Sequence, residues 1–248
     1  MRTLKALSAL LAYPTPELCA AIPEIGAALE EEGVLGDTER AALEPLLSKL
    51  ASDDVYDLQE RYILLFDRTR TLSLHLFEHV HGESRDRGQA MVDLKSVYAE
   101  GGFEIDGTEL PDFVPLFLEY CSLQPDAEAS LLLAEPAHVL ATLGERLRKR
   151  DSTYAPVFEA LVALAAARPT ADAFAAIIQD AEIDPSDLEA LDAAWAEEEV
   201  LFGPGAAVAE CGVDSLGAKL RQARRPAPGI QIPPAPRTVF NHVTNVPR

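Results

Sequence analysis

Leu76 to Asp93 reads L-F-E-H-V-H-G-E-S-R-D-R-G-Q-A-M-V-D, and the fold of the chain turns on how this stretch is read. It holds His79 and His81, with His75 just before it, and packs Glu78, Glu83, Arg85, Asp86 and Arg87 around Gly82 and Gly88. Apolar residues at helical spacing lie on both sides, so a polar cluster interrupts an otherwise helical pattern. Four readings are open: a metal site, a catalytic cluster, a charged connection between helices, or a surface for a partner. The local chemistry supports a connection. A helix beginning after Thr71 should stop at Gly82, which suits a left-handed C-cap. A second should run from about Ser84, a good N-cap, to Glu100, with Ala90, Met91, Leu94, Val97 and Tyr98 on one face. Glu83 and Asp86 lie near the positive end of that second helix, and Glu83 can pair with Arg87 one turn on. Arginines at 85 and 87 run against the dipole of a first turn. They call for acidic partners, in the body or on a bound protein.

Working outward, the spacing predicts helices almost everywhere. Leu4, Leu7, Leu10 and Leu11 mark a first amphipathic helix. Thr15 caps a second that starts at Pro16, is interrupted at Pro23 and ends by Gly33 to Gly36. A third starts at Asp37 or Thr38 and carries Leu43, Leu46, Leu47 and Leu50. A fourth follows Ser52 with Val55, Leu58, Tyr62, Leu65 and Phe66 on one face. Beyond Gly101-Gly102 and the turn at Asp106-Gly107, a helix should enter through Glu109-Leu110-Pro111-Asp112. Others should start near Ala127, Pro136, Ser152, Ala171 and Asp184. No alternating strand pattern and no internal repeat is evident, so the chain reads as an all-α bundle. The body should end near Phe202, before the Gly203-Pro204-Gly205 breaker. The Pro-rich tail of residues 203–248 should be disordered, or extended when bound.

Hydrophobic content of 48% and charged content of 25% are those of an ordinary soluble domain, but the net charge of −20 is not. A chain this acidic disfavours nucleic acid and anionic lipid, and attracts basic partners. The charge is segregated: from Ser215 onward there are six basic residues and no acidic one, which leaves 15 basic against 41 acidic residues before it. An acidic body thus carries a basic appendage. Cys19, Cys121 and Cys211 form neither a disulfide framework nor a zinc pattern. No apolar run reaches the length of a membrane span, and the N-terminal segment lacks a signal-peptide cleavage pattern. A cytoplasmic location is the natural expectation.

Catalytic motifs are thin. His75-Leu76-Phe77-Glu78-His79 fits H-x-x-E-H, in which two histidines on one helix face hold zinc and the glutamate acts as base. A zinc-dependent hydrolase is therefore the alternative reading, resting on that motif alone. There is no G-x-S-x-G, no phosphate-binding glycine loop and no cysteine beside a histidine in a recognised pattern.

The longer pattern F-E-H-V-H-G-E-S-R-D-R-G-Q-A-M-V-D-L, Phe77 to Leu94, resembles the signature of the TorD/DmsD/NarJ family of redox-enzyme maturation chaperones, in its nitrate-reductase branch. Supporting matches are L-L-A-Y-P at 10–14, R-Y-I-L-L-F-D-R-T-R at 61–70, E-L-P-D-F-V-P-L-F-L-E-Y at 109–120 and D-A-A-W-A-E-E-E-V at 192–200. Together they span the chain from its first helix to about residue 202. The resemblance implies a single-domain TorD-like helical bundle over residues 1–202 that is not an enzyme and carries no cofactor or metal of its own. It implies a client, the N-terminal segment of the apo catalytic subunit of respiratory nitrate reductase. That segment would be held until the molybdenum cofactor and an iron–sulfur cluster are in place, with proteins that deliver the molybdenum cofactor as further candidate partners. The family's E-P/L-x-D-H motif falls on Glu109 to Phe113, with Phe113 where the motif has histidine. Glu78, His79, His81, Glu83, Arg85, Asp86 and Arg87 become the signature surface. We place Glu109 and Asp112, near Phe113, Leu116 and Tyr120, along a client groove; Leu116 and Tyr120 read equally well as core. By charge the basic tail could lie in the same acidic groove and compete with the client; it reads equally well as a solvated linker.

Overall fold

A computed structural model of the chain describes residues 1–68, 70–81, 85–107, 109–167 and 238–241. Helix α1, Arg2–Leu10, runs through the middle of the bundle. Leu4, Leu7, Leu10 and Leu11 are fully buried, as their spacing requires, and α1 packs against α2, α7 and α10. Helix α2, Pro16–Glu32, begins where Thr15 Oγ1 accepts the Leu18 amide at 3.2 Å, and it ends at Gly33, whose φ of 63° lies in the left-handed region. The expected interruption at Pro23 does not occur. An internal proline costs about 3 kcal/mol, but Ile22 and Leu29 are buried and Ile25 packs on the core. Burial of such side chains contributes roughly 1.5–3 kcal/mol each, so packing carries the helix through the proline.

Helix α3, Asp37–Ser52, buries Leu43, Leu46, Leu47 and Leu50. Helix α4, Val55–Phe66, buries Leu58, Tyr62 and Phe66; its cap is the Asp54 carboxylate, which accepts the Tyr56 amide at 2.9 Å. The predicted helix from Thr71 to Gly82 is replaced by a short 3₁₀ turn, Arg70–Leu72, an extended stretch, and a single turn α5, Glu78–His81. Helix α6, Arg85–Glu100, follows, with Leu94, Val97 and Tyr98 buried as predicted and Ala90 and Met91 packed against the core. The next helix, α7, Val114–Ser122, starts four residues later than Leu110 would have it, and Pro115 rather than Pro111 occupies its first turn. Glu109 to Phe113 is therefore not helical. The chain continues with α8, Asp126–Ala134, α9, Ala137–Lys149, and α10, Ala155–Leu164.

Two short strands complete the described fold. β1, Phe103–Asp106, pairs in parallel with β2, Thr238–Asn241. Strand periodicity is not detectable in Phe-Glu-Ile-Asp, because alternation over four residues completes only two cycles. The expected helices from Ala171 and Asp184, the domain limit at residue 202 and most of the tail lie outside the described residues. No described helix is long and apolar enough to cross a membrane.

One buried charge stitches the bundle to the interrupted region. Arg146 is 2% exposed, and its Nη1 donates to the Thr71 carbonyl at 2.8 Å. Its position in the last turn of α9 suggests only a favourable dipole interaction; the structure turns it inward.

Candidate functional site

Two extended segments lie side by side and help to line a cavity. His75 and Phe113 form an antiparallel bridge, with the Val114 amide donating to the Leu74 carbonyl at 2.8 Å and the Leu76 amide donating to the Asp112 carbonyl at 3.1 Å. Asp112 clamps the pair. Its carboxylate is fully buried, accepts the Phe77 amide at 3.0 Å and lies 3.3 Å from His75 Nδ1. Tyr98 Oη fixes the same segment from α6 by donating to the Pro111 carbonyl at 2.8 Å. These bonds explain why neither segment is helical: the amides and carbonyls that a helix would use internally are spent across the bridge.

Burial works against charge on the His75 imidazole, but the hydrogen bond and charge of Asp112, aided by Glu78, outweigh it and raise its pKa above the ordinary value. The ring sits 5.4 Å from that of Phe113, tilted 37°. Arg87 reaches back from α6 to Glu78 at 2.9 Å. This is the acidic partner that its place in a first turn demanded, and it lies within the body.

Against this floor opens a cavity of about 650 Å³, lined by Tyr13, Tyr62, Ile63, Phe66, Asp67, Arg70, Ser73, Leu74, His75, Glu78, Arg87, Glu109 and Phe113. Its apolar wall is an aromatic cluster: Tyr62 meets Tyr13 edge-on at 5.5 Å and Phe66 at 4.9 Å, and Tyr154 backs Phe66 at 5.1 Å. Tyr62 Oη is held by the Leu11 carbonyl at 2.8 Å, which sets the wall against α1. A second concavity continues past Tyr13, Ile63 and Asp67 to Gln59, Glu60, Leu64 and Arg68. The two share three residues and adjoin along α4; together they make up the groove. Tyr13 and Ile63 stand at its rim, 41% and 42% exposed.

The charge of this groove is mixed. Glu60, Asp67, Glu78 and Glu109 face Arg68, Arg70 and Arg87. The lining of these concavities thus carries four carboxylates beside three guanidinium groups. Aromatic and aliphatic surface distinguishes it.

The predicted site residues divide accordingly. Glu109 and Phe113 line the groove. Asp112 lies beneath it as a structural clamp. Leu116 and Tyr120 are buried beside β1, where the Tyr120 ring lies 4.6 Å from that of Tyr98, tilted 43°, and meets Phe103 edge-on at 5.5 Å. Of the signature surface, Glu78 and Arg87 line the cavity, Asp86 is exposed, and His79 Nε2 lies 2.8 Å from the Ser73 carbonyl. Glu83 and the side chains of His81 and Arg85 lie outside the described residues. Sequence reasoning missed Tyr13, Ile63, Asp67 and Arg70. Ile63 carried a usable signal, being a large apolar residue off the buried stripe of α4.

The zinc reading loses its geometry. H-x-x-E-H needs both histidines on one helix face, whereas His75 sits in the bridge and α5 begins only at Glu78. Among the described residues no group of three or more His, Cys, Asp and Glu side chains gathers as a metal site. Cys121 is fully buried and its thiol is pushed well above its ordinary pKa by that burial, the opposite of an activated nucleophile.

Comparison with known proteins matches residues 17–160 to the nitrate reductase delta subunit family. The chain is 44% identical over 196 residues to the nitrate reductase molybdenum cofactor assembly chaperone NarJ of Escherichia coli K12, covering 79% of this chain and 83% of that protein. It is 39% identical over 202 residues to the probable assembly chaperone NarW of the same strain, covering 82% and 84%. To the probable NarJ of Bacillus subtilis it is 32% identical over 164 residues, covering 65% and 86%. With more than half of the chain inside the family match and relatives of this identity aligned over most of their own length, the chain belongs to the nitrate reductase delta subunit family, as a NarJ-type assembly chaperone and not an enzyme.

Proposed function

We propose that this chaperone holds the N-terminal segment of the apo catalytic subunit of a nitrate reductase in the groove along α4. It would do so in the cytoplasm while the molybdenum cofactor and an iron–sulfur cluster are inserted, with cofactor-delivery proteins meeting the complex there. The observation that carries this reading is the groove itself: two adjoining concavities that share exposed Tyr13 and Ile63, with Tyr62, Phe66 and Phe113 and charges of both signs among the lining residues. An amphipathic helix laid into such a groove uses apolar anchors at i, i+3 and i+4 for hold, and flanking charges for register. In this reading Glu109 and Asp67, which line the groove, would meet basic side chains of the segment.

The test is calorimetric titration of the full chain with a synthetic peptide of the N-terminal segment of the nitrate reductase catalytic subunit from the same organism. Ile63→Asp places a charge at an exposed anchor without disturbing the core. Loss of an interface anchor costs about 1–2 kcal/mol or more, so affinity should fall at least fivefold. Glu109→Gln should weaken binding by no more than about fivefold, as expected for a partly exposed pair. Unchanged affinity in both variants would discard the groove.

A further inference from the structure

β1 and its neighbour supply an observation that the groove does not use. β1 pairs in register with four residues from the opposite end of the chain: Phe103 with Thr238, Glu104 with Val239, Ile105 with Phe240 and Asp106 with Asn241. Among the described residues β2 is the only strand beside β1. The inner strand is anchored independently of the outer one. Phe103 and Ile105 pack against the core, beside Tyr98, Leu116 and Tyr120, and β1 follows directly on α6. β1 can therefore keep its place when β2 leaves. A two-stranded sheet of four residues is marginal on its own, so the outer strand is held loosely. In sequence, Asp106 lies three residues before Glu109, which lines the groove.

We propose that β1 is a strand-accepting edge which the chain fills in cis with Thr238–Asn241, and that this strap competes with an extended segment of a polypeptide client reaching from the groove onto β1. The second clause rests on the function proposed above; the first does not. The chemistry of the occupant matches the body it docks on. The final 34 residues carry six basic and no acidic side chains, against a strongly acidic remainder, and charge attraction adds to main-chain hydrogen bonding in holding an added strand. Covalent tethering supplies the occupant at high effective concentration, so a weak strand pair can still be mostly closed. A client must then outbid an internal competitor, which tunes its affinity downward and favours release.

The experiment uses the full chain and a Val239→Pro, Phe240→Pro double variant; consecutive amides point to opposite sides of a strand, so the pair removes whichever of the two faces β1, and the outer strand cannot ladder. Amide hydrogen exchange over residues 103–106 is the first readout. The variant should exchange there at least tenfold faster, and a synthetic peptide of residues 236–248 added in trans should restore protection in the variant. Equal exchange in both forms overturns the strap. Faster exchange that the peptide fails to slow overturns the strand-accepting edge, because loss of local structure would explain it. The second readout is titration with the leader peptide. Binding severalfold tighter to the variant, with the difference shrinking when the 236–248 peptide is present, supports competition, and equal affinity overturns it. A leader peptide that binds neither form overturns the proposed client, and competition with it, while exchange alone decides the strap.

Discussion

Replacing Asp112 by alanine tests whether this carboxylate clamps the site or contacts a client. The side chain is fully buried, with its Oδ2 accepting the Phe77 amide at 3.0 Å. Removing it deletes a hydrogen bond to a charged group and leaves a buried N–H exposed to no water, which together cost about 3 kcal/mol. His75 Nδ1 also loses its partner at 3.3 Å, but that ring is partly exposed and solvent replaces much of the interaction, so nothing is added for it. Asp112→Asn keeps an acceptor for the Phe77 amide and removes only the charge; about 1–2 kcal/mol is then expected. For a chain of this size 1 kcal/mol shifts the unfolding midpoint by about 2–4 °C, so alanine should lower Tm by roughly 6–12 °C and asparagine by about half as much. Differential scanning calorimetry of the three proteins checks both values. An alanine variant within about 1 kcal/mol of wild type, or one indistinguishable from asparagine, would refute the clamp.

Other perturbations follow from the same geometry. Arg146→Ala removes a buried guanidinium from the Thr71 carbonyl and should cost about 2–3 kcal/mol in urea unfolding; a loss below about 1 kcal/mol would make the contact incidental. His75 has a pKa raised by its setting, with Asp112 outweighing burial. Folding therefore favours its protonated form, and the stability it contributes is complete below the unfolded pKa of about 6.5. That contribution is lost as pH rises through the higher folded value. The stability gap between wild type and His75→Gln should be widest in mildly acidic buffer and narrow in alkaline buffer, as read by denaturation midpoints; a gap that widens with pH would contradict the assignment.

The helices outside the interrupted region were readable because each had a periodic apolar face and a punctuating residue. Leu4, Leu7 and Leu10 point inward as spaced, Thr15 caps α2, and Gly33 ends it. Even Arg87 declared itself, since a cation in a first turn needs a carboxylate, and Glu78 supplies one at 2.9 Å. Pro23 reads as a break because its local penalty of about 3 kcal/mol is visible in sequence, whereas the burial of Ile22 and Leu29 that opposes it is not. The segments around His75 and Phe113 misled more deeply. Both carry helix-compatible residues, yet they pair with each other across 38 positions of sequence.

Composition and periodicity by themselves determined an acidic, helical body, and one long signature determined its family of assembly chaperones. These are local properties, set by propensity, spacing and residue identity. The groove was decided only by the tertiary structure. It exists because Asp112, buried far from His75 and Phe77 in sequence, takes the hydrogen bonds that would otherwise have closed a helix there, and because Tyr13, Ile63 and Phe113 come from three separate segments. The pairing of β1 with the tail belongs to the same class. A four-residue strand has too little pattern to announce itself, and its partner lies more than 130 residues away.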